Sequence, residues 1–158
     1  MGTIARDIMI TEFRTLLPDT PIVEAVKLFR NTDLQKSRRL FGMMVTDTDH
    51  RLVGMLSMYD ILLYMRPKHI HIWGMMDDID VAGVIDNACG KLKSILVGDI
   101  MSSDIVTISP TTHLMMILDI MIKKHIRRLP VLEDQKIFGI VYLSDLFYHL
   151  SGKVIEST

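Results

Sequence analysis

The chain has 158 residues, 49% of them apolar, and its formal net charge at pH 7 is −1. This composition allows one compact unit or two small ones, and the near-zero charge argues against a broadly basic nucleic-acid surface. The single cysteine, Cys89, excludes an intramolecular disulfide and favours a reducing, cytoplasmic location. We expect neither a signal peptide nor a membrane-spanning segment, because no apolar stretch is long enough.

The first predicted element is a short helical turn around Asp7-Ile-Met9. A strand, a helix and two further strands follow, at Thr15–Leu17, Ile22–Arg30, Gly42–Thr46 and Leu52–Leu56. Thr20 before Pro21 predicts that a hydroxyl caps the first helix, with proline at its first position. A last helix begins near Met58.

The segment 66–96 is too long for a plain linker. Residues 79–95 have a helical pattern, which Gly83 and Gly90 weaken. His69 and His71 precede several aspartates, and imidazole and carboxylate groups together can bind a metal ion. No Cys-x-x-Cys or His-Glu-x-x-His motif supports such a site, so we predict polar surface or a subunit contact and no metal. Trp73 is our candidate for an anchoring and signal-transmitting residue.

The remaining chain repeats the order of the first part, beginning with Asp99-Ile-Met101. It continues with a strand, a helix, two strands and a final helix, at Ile105–Ile108, His113–His125, Leu129–Leu132, Ile137–Tyr142 and from Leu143. Thr112 takes the place of Thr20 as the predicted cap. Because apolar residues occur on most faces of the helix over 113–125, we expect it to be buried on most sides.

Two signatures make this an internal repeat. Asp7-Ile-Met9 recurs at Asp99-Ile-Met101 with an offset of 92 residues, and the stretch Gly54–Asp60 recurs at Gly139–Asp145 with an offset of 85. Repeats determine architecture, because each unit is too small to bury its own core. We therefore predict an α/β (α+β) fold of two β-α-β-β-α repeats packed with pseudo-two-fold symmetry. The predicted boundaries are 1–65, 66–96 and 97–158.

The sequence Ser57-Met-Tyr-Asp60 stands where a strand leads directly into a helix. Free N–H groups and the helix dipole favour phosphate at such a point, Ser57 can donate a hydrogen bond, and an ionised Asp60 can accept two ribose hydroxyls. The same spacing also forms a capping box, in which both side chains satisfy the helix itself. The motif alone therefore leaves a ligand site and a helix cap both open.

Taken together, these motifs resemble the cystathionine β-synthase (CBS) domain family in its tandem form, the Bateman module. The resemblance rests on the two Asp-Ile-Met segments, the Pro-x-Thr helix entries at Pro18 and Pro110, Ile126-Arg-Arg-Leu-Pro-Val131 and the stretch Gly54–Asp60. These motifs are spread over roughly three quarters of the chain and are specific only as a set. The resemblance implies two clefts that bind adenosine compounds and a module that commonly dimerises into a flat disk.

In that family the Ser or Thr of the motif binds phosphate and the Asp binds ribose, which assigns these roles to Ser57 and Asp60. The adenine is expected against the first strand of the other repeat, where backbone groups read its edge. The resemblance thus adds the following lining residues to the first site: Met55, Ile105, Val106, Thr107 and Pro130. Core packing is the alternative for Val106.

The second site departs from the family pattern. Tyr142 replaces the expected Ser or Thr, and its phenol could shrink the phosphate pocket, although Asp145 still offers a carboxylate for ribose. Basic residues at the entry to the second strand of the repeat reach phosphate in the family, but a solvated basic helix end explains them equally well. The other residues of this site are Ile140, Thr15, Leu16, Arg127 and Arg128.

We interpret the chain as a stand-alone regulatory module rather than an enzyme, since it contains no nucleophile elbow, phosphate-loop motif or acid–base pair. Its expected ligand is an adenosine nucleotide (AMP, ADP or ATP), which would signal to an unknown effector protein by conformational change. A homodimer is expected. The alternative is a ligand-independent homodimeric scaffold for protein interaction; nucleic-acid binding through 36–39 and 123–128 is a weaker one.

Overall fold

The computed structural model describes residues 2–31, 41–66 and 81–157. The first repeat contains six elements: α1 (Ala5–Ile8), β1 (Thr15–Leu16), α2 (Ile22–Asn31), β2 (Gly42–Thr46), β3 (Leu52–Ser57) and α3 (Met58–Met65). The chain continues through α4 (Val81–Lys91), a 3-10 turn (Leu92–Ser94), α5 (Val97–Ile100), α6 (Leu114–Lys124), β4 (Arg128–Glu133), β5 (Lys136–Tyr142) and α7 (Leu143–Glu156). The predicted mixed α/β fold is confirmed. The predictions for 36–39, His69, His71 and Trp73 lie outside the described residues.

The strands form two sheets. In the first, β2 lies between β1 and β3, and β1 runs parallel to β2 with Thr15 opposite Met44. In the second, β4 and β5 are antiparallel, and Glu133 pairs with Lys136 across the turn. Asp134 and Gln135 have φ angles of 51° and 69°, as a two-residue turn between right-twisted strands requires. This tight turn sets the pairing next to it, and the register shifts once along the strands, between Val131 and Leu132.

The strand predicted over Ile105–Ile108 does not form in full. Only Ile108 makes a bridge, in the parallel sense, to Val131. Its N–H donates to the Pro130 oxygen at 3.0 Å and its oxygen accepts from the Leu132 N–H at 2.8 Å. The β-branched composition of this segment is typical of strands, but a single bridging residue does not extend into a ladder.

The helix caps also differ from the prediction. The hydroxyl of Thr20 accepts from the N–H of Leu17 at 3.3 Å, and that of Thr112 accepts from the N–H of Ser109 at 3.0 Å. Both threonines therefore close the turn before the helix rather than the helix itself. The N-cap of α6 is His113, whose Nδ1 accepts from the N–H of Met115 at 3.0 Å.

Helix α6 is less buried than its composition predicts. Leu114, Ile117 and Met121 face the core, whereas Met115, Met116 and Ile122 are exposed. The prediction that this helix is buried on most sides is therefore wrong.

The chain divides into two compact units, and each repeat contributes its opening segment to the unit of the other. One unit contains Met1–Arg14, Thr48–Leu52 and Asp104–Thr158, and the other contains Thr15–Asp47 and Val53–Ser103. Accordingly, Ala5 and Ile8 of α1 are buried in the core that α6 and β4 build. Val97 of α5 is buried in the core of α2 and β2.

Matching hydrogen bonds hold both opening segments. Ala5 and Arg6 donate their N–H groups to the oxygens of Thr112 and Pro110 at 2.8 and 2.9 Å. At positions 92 residues away, Val97 and Gly98 donate to Thr20 and Pro18 at 2.8 and 2.7 Å. The repeat in the sequence is thus also a repeat in backbone hydrogen bonding.

Within the described residues, no helix combines the length and the hydropathy that a bilayer crossing needs.

Candidate functional site

The Ser57–Asp60 motif lies where β3 ends and α3 begins, as predicted. Oδ2 of Asp60 accepts two hydrogen bonds of 2.9 Å, from the N–H and from the hydroxyl of Ser57. The Ser57 Oγ in turn accepts from the N–H of Asp60 at 3.1 Å. The two residues therefore form the capping box that the sequence left open, and they hold each other in one orientation.

The capping box uses only part of the Asp60 carboxylate. Within the described part of the chain, no hydrogen bond reaches its second oxygen, Oδ1. Both Ser57 and Asp60 are half-buried. An ionised carboxylate offers about four acceptor sites, so Asp60 retains acceptor capacity for a ligand hydroxyl while it caps α3.

Met55, on β3, lies against the opening segment of the second repeat. Its N–H donates to the Ser102 oxygen at 2.9 Å, and its oxygen accepts from the Ser102 N–H at 2.8 Å. The same bridge joins Ile140 of β5 to Ile10, with bonds of 2.8 and 3.0 Å. Sequence reasoning did not identify these contacts.

The recurrence of glycine at the same place in both repeats, Gly54 and Gly139, is the sequence feature that could have predicted these contacts. A Cβ atom added at Gly139 would lie 2.7 Å from the Ile10 oxygen, and one added at Gly54 would lie 2.5 Å from the Met101 sulfur. Each motif glycine therefore admits the opening segment that packs over its strand, so its repetition has a packing cause.

The segment assigned to adenine has unused backbone groups. In the described part of the chain, the N–H and oxygen atoms of Ile105, Val106 and Thr107 take part in no hydrogen bond, whereas both groups of Ile108 are used. Val106 also packs against a core cluster, which agrees with the packing alternative for its side chain. Pro130 is buried, and its oxygen accepts from Ile108.

The second candidate site has a different helix start. Tyr142 is the N-cap of α7, and its side chain makes no cap hydrogen bond. Asp145 occupies the same helix position as Asp60, and its Oδ2 is buried. Thr15 and Leu16 pair with β2, so part of their backbone is used by the sheet.

The three remaining residues assigned to this site are Arg127, Arg128 and Ile140. Arg127 is exposed, and its oxygen accepts from the N–H of Leu143 at 2.8 Å. Arg128 opens β4 opposite Tyr142, and Ile140 is buried.

Each predicted site draws its residues from both compact units. Ser57, Asp60 and Met55 belong to the unit of the first sheet, while 105–107 and Pro130 belong to the other. For the second site, Thr15 and Leu16 belong to the first-sheet unit and the rest to the other. The assignment of either site to one ligand stays a prediction.

Among the described residues, no three His, Cys, Asp or Glu side chains converge as metal ligands would.

A comparison with protein-family models identifies the family of both repeats. The family model described as CBS domain matches residues 5–67 and 97–152, one match on each repeat. The chain belongs to the CBS domain family. The resemblance that the sequence motifs indicated is therefore confirmed.

Two curated relatives match most of the chain. Uncharacterized protein MJ1232 of Methanocaldococcus jannaschii is 30% identical over 152 residues, which are 96% of this chain and 40% of that protein. CBS domain-containing protein CBSX1, chloroplastic, of Arabidopsis thaliana is 30% identical over 141 residues, which are 82% of this chain and 56% of that protein. The CBS chain thus spans only about half the length of these relatives.

A solved structure shares the fold along the whole chain. CBSX2 from Arabidopsis thaliana superposes with a TM-score of 0.73 at 22% identity, covering 100% of this chain and 99% of its own. A second structure, of CBSX2 in complex with AMP, superposes with a TM-score of 0.71 at 21% identity, covering 96% and 98%. At this identity the likeness establishes the CBS-pair fold.

Proposed function

We propose that this CBS pair is a regulatory module that binds an adenosine nucleotide and is not itself an enzyme. Asp60 accepts the ribose hydroxyls, Ser57 binds a phosphate oxygen, and the backbone of 105–107 reads the edge of the adenine. The nucleotide is AMP, ADP or ATP. Its binding shifts the population of conformations and so changes a surface that an effector protein contacts.

The single observation that carries this proposal is the half-used carboxylate of Asp60. Oδ1 of Asp60 has no hydrogen-bond partner among the described residues, so it can accept a ribose hydroxyl while Oδ2 caps the helix. Charge-assisted hydrogen bonds to a ribose are stronger than neutral ones, so this oxygen can contribute substantially to affinity. The unused backbone groups of Ile105, Val106 and Thr107 support the assignment of the base.

A related fold supports the choice of ligand. CBSX2 has been crystallised in complex with AMP, and we extend adenosine binding to this chain as a proposal. Of the two sites, we favour the one at Ser57. In the second site a tyrosine replaces the hydroxyl residue, and Thr15 and Leu16 already pair with β2.

The proposal is tested by thermal unfolding and calorimetry with AMP, ADP and ATP. A ligand at a hundred times its dissociation constant stabilises a protein by about 2.7 kcal/mol, which raises the melting temperature of a chain of this size by roughly 5–10 °C. We expect Asp60→Ala to abolish this shift, measured against the variant's own nucleotide-free melting temperature. Asp145→Ala should leave most of the shift in place.

A matched control separates ligand binding from helix capping. Asp99 accepts the N–H of Leu96 at 2.8 Å at the start of α5, as Asp60 accepts that of Ser57. Asp99→Ala removes the same kind of cap, at a cost of about 1 kcal/mol, and should retain the full nucleotide shift. A shift that survives Asp60→Ala, or disappears equally in Asp99→Ala, contradicts the assignment of Asp60.

We also propose a homodimer, which the final helices of the two repeats support. Leu62 on α3 and Phe147 on α7 occupy equivalent positions and are 61% and 65% exposed. Leu63 and Tyr148 beside them are equivalent and exposed as well. The final helix of each repeat exposes apolar side chains at equivalent positions, as helices that meet their copies in a homodimer would.

The second candidate function is a homodimeric scaffold for protein interaction that needs no ligand. The complete capping box favours it, because Ser57 and Asp60 are then accounted for by α3 alone. The nucleotide titration decides between the two functions: a protein that dimerises but shows no shift with any of the three nucleotides is the scaffold.

A further inference from the structure

The methionines of the two Asp-Ile-Met segments lie against the motif glycines. A Cβ atom added at Gly54 would lie 2.5 Å from the sulfur of Met101. One added at Gly139 would lie 3.0 Å from the sulfur of Met9. Each of these contacts lies within one compact unit. Because glycine has no side chain, each thioether packs directly on the backbone of its strand.

Each methionine is followed by a residue that bonds to the same strand. Ser102 and Met55 each donate their N–H to the oxygen of the other, at 2.8 and 2.9 Å. Ile10 and Ile140 do the same in the other unit, at 2.8 and 3.0 Å. Each thioether therefore lies beside the pair of hydrogen bonds that attaches its opening segment to the strand.

Both methionines are within reach of a small reagent. Met9 and Met101 are half-buried, whereas Met43, Met44 and Met121 are at most 3% exposed. A fully buried thioether is shielded from a dissolved oxidant, and oxidation of a fully exposed one disturbs little packing. Met9 and Met101 combine access to solvent with a close packing contact.

We propose that Met9 and Met101 are oxidation sites, and that conversion of their thioethers to sulfoxides loosens the opening segments from their strands. The oxidant is a peroxide. A sulfur lone pair attacks one oxygen of hydrogen peroxide, so an S–O bond forms and the O–O bond breaks. The departing hydroxide takes the proton of the new S–OH group and leaves as water. The sulfur is thereby oxidised by two electrons, and the peroxide is reduced by two.

The sulfoxide does not fit the contact that the thioether makes. It is polar, unlike the thioether, and the sulfur of Met101 approaches Gly54 too closely to admit another atom between them. The new oxygen is also a hydrogen-bond acceptor, and it competes for the N–H groups of Ser102 and Met55, which serve the bridge. Both effects weaken the attachment of the opening segment.

The change is reversible, because methionine sulfoxide reductases return the sulfoxide to the thioether. The inference depends on packing within each compact unit and does not require nucleotide binding. The two proposals can therefore fail separately.

The test treats the full chain, without nucleotide, with hydrogen peroxide. Peptide mass spectrometry should locate an added oxygen atom on Met9 and Met101. Amide hydrogen exchange, followed by NMR, should become at least about tenfold faster at Ser102 and Met55, because the two hydrogen bonds of the bridge protect these amides. Methionine sulfoxide reductase should restore slow exchange.

A leucine variant separates these two methionines from the others. Met9→Leu with Met101→Leu keeps apolar side chains of similar volume and leaves every other methionine in place. Peroxide should lower the melting temperature of the wild type by about 3 °C or more and leave that of this variant nearly unchanged. The matched control, Met115→Leu with Met116→Leu, removes two exposed thioethers of α6 and should lose as much stability as the wild type.

A further variant needs no oxidant. Met101→Gln places an uncharged polar group where the sulfoxide would lie, and it should speed amide exchange at Ser102 as oxidation does. Three outcomes overturn the proposal. They are sulfoxides on Met9 and Met101 that leave amide exchange unchanged, thioethers there that resist peroxide while Met115 is oxidised, and a leucine variant that loses as much stability in peroxide as the wild type.

Discussion

At the residue scale, the same side chain occurs at four equivalent helix starts. Asp7, Asp60, Asp99 and Asp145 each stand at the third position of a helix. Asp7 and Asp99 accept the N–H three residues upstream at 2.9 and 2.8 Å and are exposed. A carboxylate at this position therefore caps the start of a helix whether or not a ligand binds. What sets Asp60 apart is its place after a strand, with Ser57 fixed beside it.

Alanine substitution of the two motif glycines, Gly139 and Gly54, should lower the free energy of unfolding by different amounts. Because the atom that a Cβ at Gly139 would meet is a backbone oxygen, which cannot move independently, we expect Gly139→Ala to destabilise the fold by about 1–3 kcal/mol. Gly54→Ala should cost less, since the nearest atom is the sulfur of a flexible methionine, although the Ser102 oxygen is also close, at 3.0 Å. Urea denaturation measures both free energies of unfolding.

Gly152→Ala is the matched control for this prediction. Gly152 lies inside α7, and no atom would come within 4 Å of an added Cβ. Alanine is favoured over glycine in a helix by about 1 kcal/mol, so this variant should be slightly more stable than the wild type. If all three variants lose equal stability, the close approach at the motif glycines is not what makes them necessary.

At the element scale, the sequence predicted most of the fold correctly. The limits of β2 agree, and α3 and α7 begin at the predicted Met58 and Leu143, because turn residues and motif glycines mark these boundaries. The strand over 105–108 was wrong, since its β-branched residues indicate extended backbone but not a partner for it. Thr20 and Thr112 were misassigned as caps because a threonine hydroxyl can accept from a turn N–H as well as from a helix.

The candidate site was predictable only in part. Ser57 and Asp60 were located at the correct junction, and their capping box was one of the two interpretations of the motif. The contacts of Met55 with Ser102 and of Ile140 with Ile10 were not predicted. They join segments far apart in sequence, and local patterns contain no information about which distant segment a strand edge meets.

The equivalent helices α3 and α7 should both contribute to the dimer. We expect Phe147→Glu and Leu62→Glu each to shift the protein toward a monomer, because a buried charge without a partner is costly at an apolar contact. Sedimentation velocity over a range of concentrations measures the shift. Glu24→Gln, on the ion-paired face of α2, is the control and should leave the association state unchanged. Dimers that tolerate both glutamates would place the contact elsewhere.

At the scale of the whole molecule, the boundaries of the repeats are not the boundaries of the compact units. Repeat two supplies α6, β4, β5 and α7 to its unit, but Ala5 and Ile8 of α1 complete that core. Removing buried groups of this kind costs several kcal/mol, a large fraction of the stability of a small domain.

A fragment experiment tests this exchange. Residues 97–158 alone lack α1, so we expect no cooperative thermal transition by circular dichroism. A second protein, with residues 2–14 joined to 104–158 by a flexible linker, restores α1 to this core and should unfold cooperatively. A fragment 97–158 as stable as the linked protein would show that α1 contributes little to this core.

The exchanged opening segments also bear on how such a chain arose. A single-copy ancestor built in this way could not have completed its own core, because its first helix belongs to a neighbour. Its core would be complete only in a pair of chains that exchange their opening segments, the arrangement known as domain swapping. Joining both copies in one chain makes the encounter of each opening segment with its core independent of protein concentration.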